Sequence, residues 1–247
     1  MSDIQPKTIF RYRDISVNSL LEITTSSFYA SKPSAFNDPF DCDFYWDGQL
    51  NEDLKNHLVS INNTQGQLKF DKVEMSSLEE GIKNDVQNLG IVCFTTDPLN
   101  PLMWAHYSNS HRGICIEYKV EGVLESETFR KVKYNRADKV IVNSFELIKN
   151  GYDMGSFFDD IVYSKLKEWK YEEEWRLMLI QPTKRLISLA SPIESVTFGL
   201  KCPDAEVIKV LNILKLNFLS GITKAFRVRI TNKGTMEREE INLPVSE

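Results

Sequence analysis

The 247-residue sequence predicts an α+β fold, a single domain in which helices flank a central, largely antiparallel mixed sheet. Three observations favour this class. The composition, 42% hydrophobic and 26% charged, is that of an ordinary globular protein. Short segments with strand patterns are interspersed with helical ones along the chain. The sequence contains neither an internal repeat nor a low-complexity linker, so residues 1–247 are expected to form one domain.

The first 31 residues predict a compact strand–helix–strand opening. Thr8–Arg13 alternates polar residues with apolar or aromatic ones, which is typical of a strand. The segment from Ser16 to Ile23 predicts a short helix with Ser16 as its N-cap. Ser27–Ser31 predicts a second strand, which ends before Pro33.

A structured loop and a variable region follow. Residues 33–43 combine two prolines with acidic, amide and aromatic side chains, a composition that excludes a regular element. Residues 50–88 are polar, helical in tendency and weakly patterned, and we expect a variable helical insertion there. Gly90–Thr95 predicts a buried strand. Asn100 followed by Pro101 predicts the start of a helix, with a cap and then proline at the first position.

Strands predominate in the remainder of the chain. A break at residues 109–113 ends the helix that starts at Pro101. Further strands are predicted at Gly113–Tyr118, Lys131–Tyr134, Glu174–Ile180, Ile193–Phe198 and Ala225–Ile230. Two helices are predicted, one from about Asn143 to Lys167 and one that begins at Asp204.

Charge, cysteines and the N-terminus limit the functional classes. A net charge of −5 gives no electrostatic reason to expect non-specific DNA binding. The four cysteines lack paired zinc-ligand spacing, so we predict no metal site and a reducing compartment. Neither a signal-peptide pattern nor an apolar run of about 18 residues occurs, which predicts a cytoplasmic protein that does not bind a membrane. The sequence leaves the oligomeric state open.

The first candidate site is the segment Asn37–Asp41. Asp38 and Asp41 flank a turn fixed by Pro39, and such carboxylates can present acceptors rigidly to a ligand hydroxyl, an arginine or a metal. The alternative is an Asx-turn that closes a loop, in which these side chains bond to nearby backbone N–H groups. Composition alone does not separate the two.

The second candidate site is the helical segment Trp104–Tyr107. Trp104 and Tyr107 are three residues apart and share a helix face, whereas His106 points away from it. An aromatic face beside a histidine can stack on a nucleobase or a nicotinamide ring. The alternative is core packing with the polar atoms satisfied by hydrogen bonds.

The third candidate site is the acidic run Glu172–Glu174. Strand alternation predicts that Glu172 and Glu174 share a face, that Arg176 continues the row and that Glu173 is opposed. Neighbouring carboxylates raise each other's proton affinity and an arginine offsets this, an arrangement typical of catalytic carboxylates. The alternative is a solvated edge strand with Glu–Arg pairing.

The sequence resembles domain-of-unknown-function family 2971, a bacterial family to which no reaction is attached. The similar segments occur in the family's order and cover most of the chain, least clearly over residues 50–88. They are Phe10–Arg13, Ser31–Pro33, Phe36–Asp41, Cys93–Thr95, Leu102–Tyr107, His111–Ile116 and Lys167–Arg176. The resemblance implies that Asn37–Asp41 and Glu172–Glu174 contribute to one active site.

The layout is also similar to ADP-ribosyltransferase-like folds. In those folds a first strand bears an arginine or histidine, a second strand bears a serine or tyrosine, and a Glu-x-Glu follows. The corresponding candidates are Arg11 or Arg13, then Tyr29 or Ser31, then Glu172 with Glu174. The sequence departs from this pattern because it lacks a clean Ser-Thr-Ser and because the Asn37–Asp41 loop has no counterpart.

This second resemblance implies an NAD-consuming transferase or glycohydrolase, of the kind found among bacterial toxins and phage-defence effectors. Glu174 would stabilise the oxocarbenium-like charge on the ribose, and Glu172 would orient or activate an acceptor, either protein or nucleic acid. The expected NAD-binding residues are Arg11, Tyr12, Arg13, Ser31, Trp104, His106 and Tyr107. The expected site-shaping residues are Asn37, Asp38, Asp41, Trp169 and Arg176.

Two other functions stay open at this stage. A metal-dependent hydrolase or nuclease would use Asp38, Asp41, Glu172 and Glu174 as oxygen ligands for magnesium or manganese. A non-enzymatic binding module would use Asn37–Asp41 and Trp104–Tyr107 only as structure. A pocket lined by both acidic segments would favour an enzyme.

Overall fold

The computed structural model describes residues 4–47, 72–120, 128–138, 140–143, 154–180, 182, 186–188, 193–216 and 224–241. The chain divides into two compact units. Unit 1 comprises Met1–Ser31, Gly90–Val132 and Trp169–Glu247, and unit 2 comprises Lys32–Leu89 and Lys133–Glu168. That the whole chain forms one domain stays a prediction.

The regular elements are numbered along the chain. The strands are β1 (Thr8–Arg13), β2 (Ser27–Tyr29), β3 (Phe44–Asp47), β4 (Gly90–Phe94), β5 (Ile114–Lys119), β6 (Phe129–Lys131), β7 (Lys133–Arg136), β8 (Val140–Asn143), β9 (Ser164–Leu166), β10 (Trp175–Leu179), β11 (Leu186–Ser188), β12 (Ile193–Phe198), β13 (Lys224–Ile230) and β14 (Met236–Ile241). The α-helices are α1 (Val17–Thr25), α2 (Lys72–Asn88), α3 (Pro101–Tyr107), α4 (Met154–Val162) and α5 (Asp204–Leu216). Short 3-10 helices lie at Pro33–Ala35 and Lys167–Glu172.

Unit 1 is built on a five-stranded sheet with the order β1-β5-β12-β13-β14. Within it β12 and β13 are parallel, and the other neighbouring pairs are antiparallel. A three-stranded antiparallel sheet, β4-β10-β6, and the antiparallel pair β11-β2 belong to the same unit. The α+β class and the central, largely antiparallel mixed sheet are therefore confirmed.

Both faces of the five-stranded sheet are covered, which explains why β1 is buried on both sides. Ile9 lies in the main core with Ile23 of α1 and Val210 of α5. Phe10 and Tyr12 belong to a second core with Trp104 of α3. Because successive side chains of a strand leave on opposite faces, Arg11 and Arg13 lie on the face of Ile9, away from Tyr12.

Unit 2, taken by itself, contains two parallel strand pairs. β3 pairs with β8, and β7 pairs with β9. Phe44 of β3 makes an edge-on ring contact with Phe157 of α4, with the ring centroids 5.7 Å apart. The predicted irregular loop at residues 33–43 is confirmed apart from the single turn of 3-10 helix, because β3 starts only at Phe44.

Several predicted element boundaries are reproduced by local chemistry. β1 has the predicted bounds, and Ser16 caps α1 in a reciprocal capping box with Ser19. The side chain of Asn100 accepts hydrogen bonds from the backbone N–H groups of Leu102 and Met103 at the start of α3.

The long helix predicted from about Asn143 to Lys167 is confirmed over Met154–Val162, which forms α4, and is wrong at both ends of its described part. Asn143 ends β8, and Ser164–Leu166 forms β9. Pairing of β9 with β7 competes there with local helical tendency and prevails. The predicted insertion at residues 50–88 is helical over Lys72–Asn88, and its first part lies outside the described residues. Of the helices described, none combines the length and apolar character needed to cross a bilayer.

Candidate active site

Glu172 and Glu174 are both buried, but not through strand alternation as predicted. Glu172 ends the 3-10 helix, and β10 begins only at Trp175. Between the two carboxylates the backbone of Glu173 adopts a left-handed conformation with φ of 45°. This residue therefore breaks the strand pattern and turns outward, where its side chain accepts a hydrogen bond from Thr96 at 2.8 Å. The prediction of a continuous strand face is wrong, although the opposed placement of Glu173 is confirmed.

Glu172 is held by the end of helix α3. The hydroxyl of Tyr107 donates a hydrogen bond to Oε1 of Glu172 at 2.5 Å. At the other end of α3, the Nδ2 group of Asn100 donates to the backbone carbonyl of Tyr171 at 2.9 Å. The helix and the 3-10 segment are thus joined at two points, and the carboxylate, which is 2% exposed, has a fixed position.

Four ring side chains gather beside this carboxylate, and we call them the aromatic group: His106, Tyr107, Trp169 and Tyr171. The centroid of His106 lies 6.2 Å from that of Trp169 and 6.4 Å from that of Tyr171. The imidazole of His106 is exposed, and the other three rings are partly exposed. The aromatic group therefore presents ring surface to solvent next to a buried carboxylate. Planar ligand rings stack on ring surface of this kind.

Trp104 and Tyr12 lie in the core beneath α3. Trp104 is fully buried, and its indole N–H donates to the carbonyl of Pro98 at 3.0 Å. The hydroxyl of Tyr12 donates to the carbonyl of Asp97 at 2.8 Å, and burial is the main reason that the pKa of Tyr12 is raised. The core-packing alternative is therefore confirmed for Trp104, whereas His106 and Tyr107 keep accessible surface.

Glu174 forms an ion pair with Arg176 in the interior of unit 1. The guanidinium donates to both carboxylate oxygens, from Nε to Oε1 at 2.8 Å and from Nη2 to Oε2 at 2.9 Å. Arg176 is completely buried and Glu174 is 4% exposed. The predicted association of Glu174 with Arg176 is present, but in the protein interior and not on a solvated edge strand.

Arg11 and Arg13 face α1, and a residue that the sequence interpretation missed lies between them. Arg11 donates from Nη1 to Oε1 of Glu22 at 3.1 Å and stacks over the ring of Phe28. Arg13 Nε lies 3.5 Å from Oε2 of Glu22. The only sequence signal was a glutamate within the otherwise apolar face of α1. These arginines leave β1 on the face opposite Tyr12, so they are not brought together with the aromatic group.

Ser31 contributes to unit 1 through its backbone. Its N–H donates to the carbonyl of Ile91 at 2.9 Å, and its carbonyl accepts from the N–H of Ile91 at 2.8 Å. Tyr29 likewise presents its backbone to Arg11. Neither contact indicates a role in ligand binding.

The Asn37–Asp41 segment belongs to unit 2 and contains the predicted Asx-turn. Oδ1 of Asp38 accepts from the N–H of Phe40 at 2.9 Å, and the carbonyl of Asp38 accepts from the N–H of Asp41 at 3.1 Å. Asp41 pairs with Lys165 at 3.4 Å, and both side chains are buried. Arg136 donates to the carbonyl of Phe40 at 3.2 Å. A single pocket shared with Glu172 stays a prediction.

Metal coordination receives no support within the described part of the chain. Those residues contain no group of three or more histidine, cysteine, aspartate or glutamate side chains that could hold a metal ion. Two of the four carboxylates proposed as metal ligands, Asp41 and Glu174, have cationic protein partners instead.

The comparison with known families covers the part of the chain that contains α3 and the acidic run. Residues 103–177 match the family described as Protein of unknown function (DUF2971). The resemblance inferred from the sequence is thus confirmed over this segment, which contains the whole aromatic group, Glu172 and the Glu174–Arg176 pair. Neither the curated proteins nor the solved structures yielded a match.

Proposed function

We propose that the DUF2971 segment carries the active site of an NAD-consuming, ADP-ribosyltransferase-like enzyme, either a transferase or a glycohydrolase. One observation carries the proposal: the buried carboxylate of Glu172 is fixed by Tyr107 beside the partly exposed rings of the aromatic group. Planar rings suit the nicotinamide or adenine of NAD. A fixed carboxylate suits the positive charge that develops on a ribose when its bond to nicotinamide breaks.

The proposed chemistry assigns one role to each part of the site. Nicotinamide leaves with the electron pair of the glycosidic bond, and the ribose carbon C1 acquires oxocarbenium character. The carboxylate of Glu172 stabilises this charge, and its burial strengthens the interaction because the local dielectric is low. Water or an acceptor nucleophile then bonds to C1 and releases its proton to the solvent. His106, which is exposed on the helix end, is the proposed ring partner of the nucleotide.

The geometry favours Glu172 over Glu174 as the catalytic carboxylate. The bond from Tyr107 holds Glu172 beside the partly exposed rings of the aromatic group, whereas both oxygens of Glu174 accept hydrogen bonds from the buried guanidinium of Arg176. Glu174 is therefore assigned to bracing β10. The proposal includes a cytoplasmic location and a role as a toxin or phage-defence effector, with protein, nucleic acid or water as the acceptor.

Replacement of Glu172 by glutamine tests the proposal. The amide oxygen of the new side chain can still accept the hydrogen bond from Tyr107. Nicotinamide release from NAD is expected to fall about 100-fold or more in variant protein that circular dichroism shows to be folded. Release is followed by chromatography with purified protein alone and with cell lysate as a source of acceptor. Glu168→Gln is the matched control because Glu168 is exposed on the same 3-10 helix, and this variant is expected to retain wild-type turnover.

Two results would contradict the proposal. One is a wild-type protein that neither binds nor consumes NAD, even with lysate present. The other is a folded Glu172→Gln variant that turns NAD over at the wild-type rate. Binding is measured by the quenching of tryptophan fluorescence, since Trp169 belongs to the aromatic group.

A further inference from the structure

Asn100 connects β1 and α3 to the 3-10 helix that carries Glu172. It lies immediately before α3, and its backbone N–H donates to the hydroxyl of Tyr12 on β1 at 3.2 Å. Its carbonyl accepts from the N–H of Trp104 in α3 at 3.1 Å. The backbone of Asn100 is therefore fixed relative to both the central sheet and the helix.

The two ends of the Asn100 side-chain amide have different partners. Oδ1 accepts from the backbone N–H groups of Leu102 and Met103 at 3.0 and 3.2 Å, and this end caps α3. Nδ2 donates to the backbone carbonyl of Tyr171 at 2.9 Å. The oxygen faces two donors and the nitrogen faces an acceptor, so these contacts determine which way the amide is oriented.

The hydrogen bond to the Tyr171 carbonyl acts directly on the backbone of Glu172. The carbonyl of Tyr171 and the N–H and Cα of Glu172 belong to one planar peptide group. The contact from Nδ2 therefore restricts rotation of that group, which carries the Cα of Glu172. At the other end of the side chain, Oε1 of Glu172 accepts the bond from Tyr107 at 2.5 Å. Glu172 is thus held at its backbone from the start of α3 and at its carboxylate from the end of α3.

We propose that Asn100 is a positioning residue, which aligns the carboxylate of Glu172 through the contact of its Nδ2 group with Tyr171. This role is separate from the helix cap, which Oδ1 provides. The inference rests on the function proposed above for Glu172 and deepens it. Displacement of a reacting group by about 1 Å can lower a rate about 100-fold, so a small rotation of the peptide between Tyr171 and Glu172 is enough to reduce turnover.

Two variants of Asn100 separate the helix cap from the positioning contact. Serine and aspartate both cap helices well, but the serine hydroxyl ends one bond short of the Nδ2 position and a carboxylate has no donor. In protein that circular dichroism shows to be folded, we expect Asn100→Ser and Asn100→Asp to lower kcat for nicotinamide release about 10-fold or more. KM for NAD should change less than about 3-fold, because His106 and Tyr107 stay on a capped helix.

Thr96→Val is the matched control for these variants. The hydroxyl of Thr96 also joins this region to the acidic run, through its 2.8 Å hydrogen bond to Glu173. That bond is exposed, and Glu173 turns outward, so water can replace the missing partner. We expect kcat and KM of Thr96→Val to equal those of the wild type.

The hydroxyl proton of Tyr107 reports the position of Glu172 without any turnover. Its NMR resonance is assigned by its loss in Tyr107→Phe, and a short O–H···O bond to a carboxylate moves it downfield. We expect this resonance to move upfield in Asn100→Ser and Asn100→Asp, as the bond to Glu172 lengthens, and to stay in place in Thr96→Val.

The positioning role is overturned if folded Asn100→Ser and Asn100→Asp keep the wild-type kcat, because Asn100 would then act only as a cap. It is also overturned if Thr96→Val loses as much turnover as they do, or if their Tyr107 proton does not move. If the wild type does not consume NAD, the proposed function fails, and the Tyr107 proton alone decides: an upfield shift in both variants supports the positioning of Glu172 by Asn100, and an unchanged resonance overturns it.

Discussion

Replacement of Glu174 by glutamine is expected to destabilise the fold strongly, because it removes the charge opposite a completely buried arginine. Arg176 is on the central strand of the β4-β10-β6 sheet and donates to both oxygens of Glu174. A glutamine side chain can accept one of these hydrogen bonds but cannot neutralise the guanidinium. Removing one partner of a buried ion pair costs about 3–5 kcal/mol.

The expected loss is large on the scale of the whole protein. A domain of this size loses about 2–4 °C of melting temperature for each kcal/mol, so the midpoint should fall by about 6–20 °C. The measurement is thermal and urea unfolding followed by circular dichroism. Glu173→Gln is the control at the neighbouring, exposed position, and it is expected to change the free energy of unfolding by less than about 1 kcal/mol.

The paired variant Glu174→Leu with Arg176→Met distinguishes a buried charge from a mere packing defect. If the loss of the charge opposite the buried guanidinium causes the destabilisation, replacing both charges by apolar side chains should restore most of the stability. The reasoning is refuted if Glu174→Gln changes the free energy of unfolding by less than about 0.5 kcal/mol. It is also refuted if the double variant loses more free energy of unfolding than its two single variants lose when their losses are added.

Two further predictions concern close packing and thiol chemistry. Gly113→Ala is expected to lower the free energy of unfolding in urea by more than about 2 kcal/mol, because the new Cβ would lie 2.1 Å from the backbone carbonyl oxygen of Arg13. Gly234→Ala should lower it by less, because only the positive φ opposes that change. Labelling with a thiol reagent at pH 8 should modify Cys93 first among the four cysteines, because Cys42, Cys115 and Cys202 are buried. Burial raises the pKa of the Cys115 thiol well above its usual value and that of Cys202 to about 11, so both should react only with unfolding, and rapid native labelling of Cys115 would contradict this.

Elements determined by local chemistry could be predicted from the sequence. The bounds of β1, the Ser16 cap and the Asn100 cap depend on residues that lie within a few positions of one another. The helix predicted between Asn143 and Lys167 is present at Met154–Val162 but failed at Ser164–Leu166, because β9 forms there by pairing with β7, a contact between residues far apart in the chain. The residue pattern within Ser164–Leu166 does not indicate that this segment pairs with β7.

The site residues show the same limit. The sequence singled out Glu172, Tyr107 and His106 only through separate motifs, since the contact between Tyr107 and Glu172 spans 65 positions. The partners Glu22 and Lys165 were missed because each is a single charged residue on an otherwise ordinary element. Their pairing with Arg11 and Asp41 becomes visible only when the elements pack.

The two carboxylates of the Glu-x-Glu motif have different partners, which suits the proposed division between structural support by Glu174 and catalysis by Glu172. The left-handed backbone of Glu173 lies between the end of the 3-10 helix and the start of β10, and the two flanking carboxylates have different partners. Glu174, which precedes β10, pairs with the guanidinium of Arg176 on that strand, so its charge contributes to the fold. Glu172 accepts a hydrogen bond from the phenol of Tyr107 at the end of α3, beside the aromatic group. This division of roles predicts that substitution of Glu174 reduces stability and that substitution of Glu172 reduces turnover in protein that still folds.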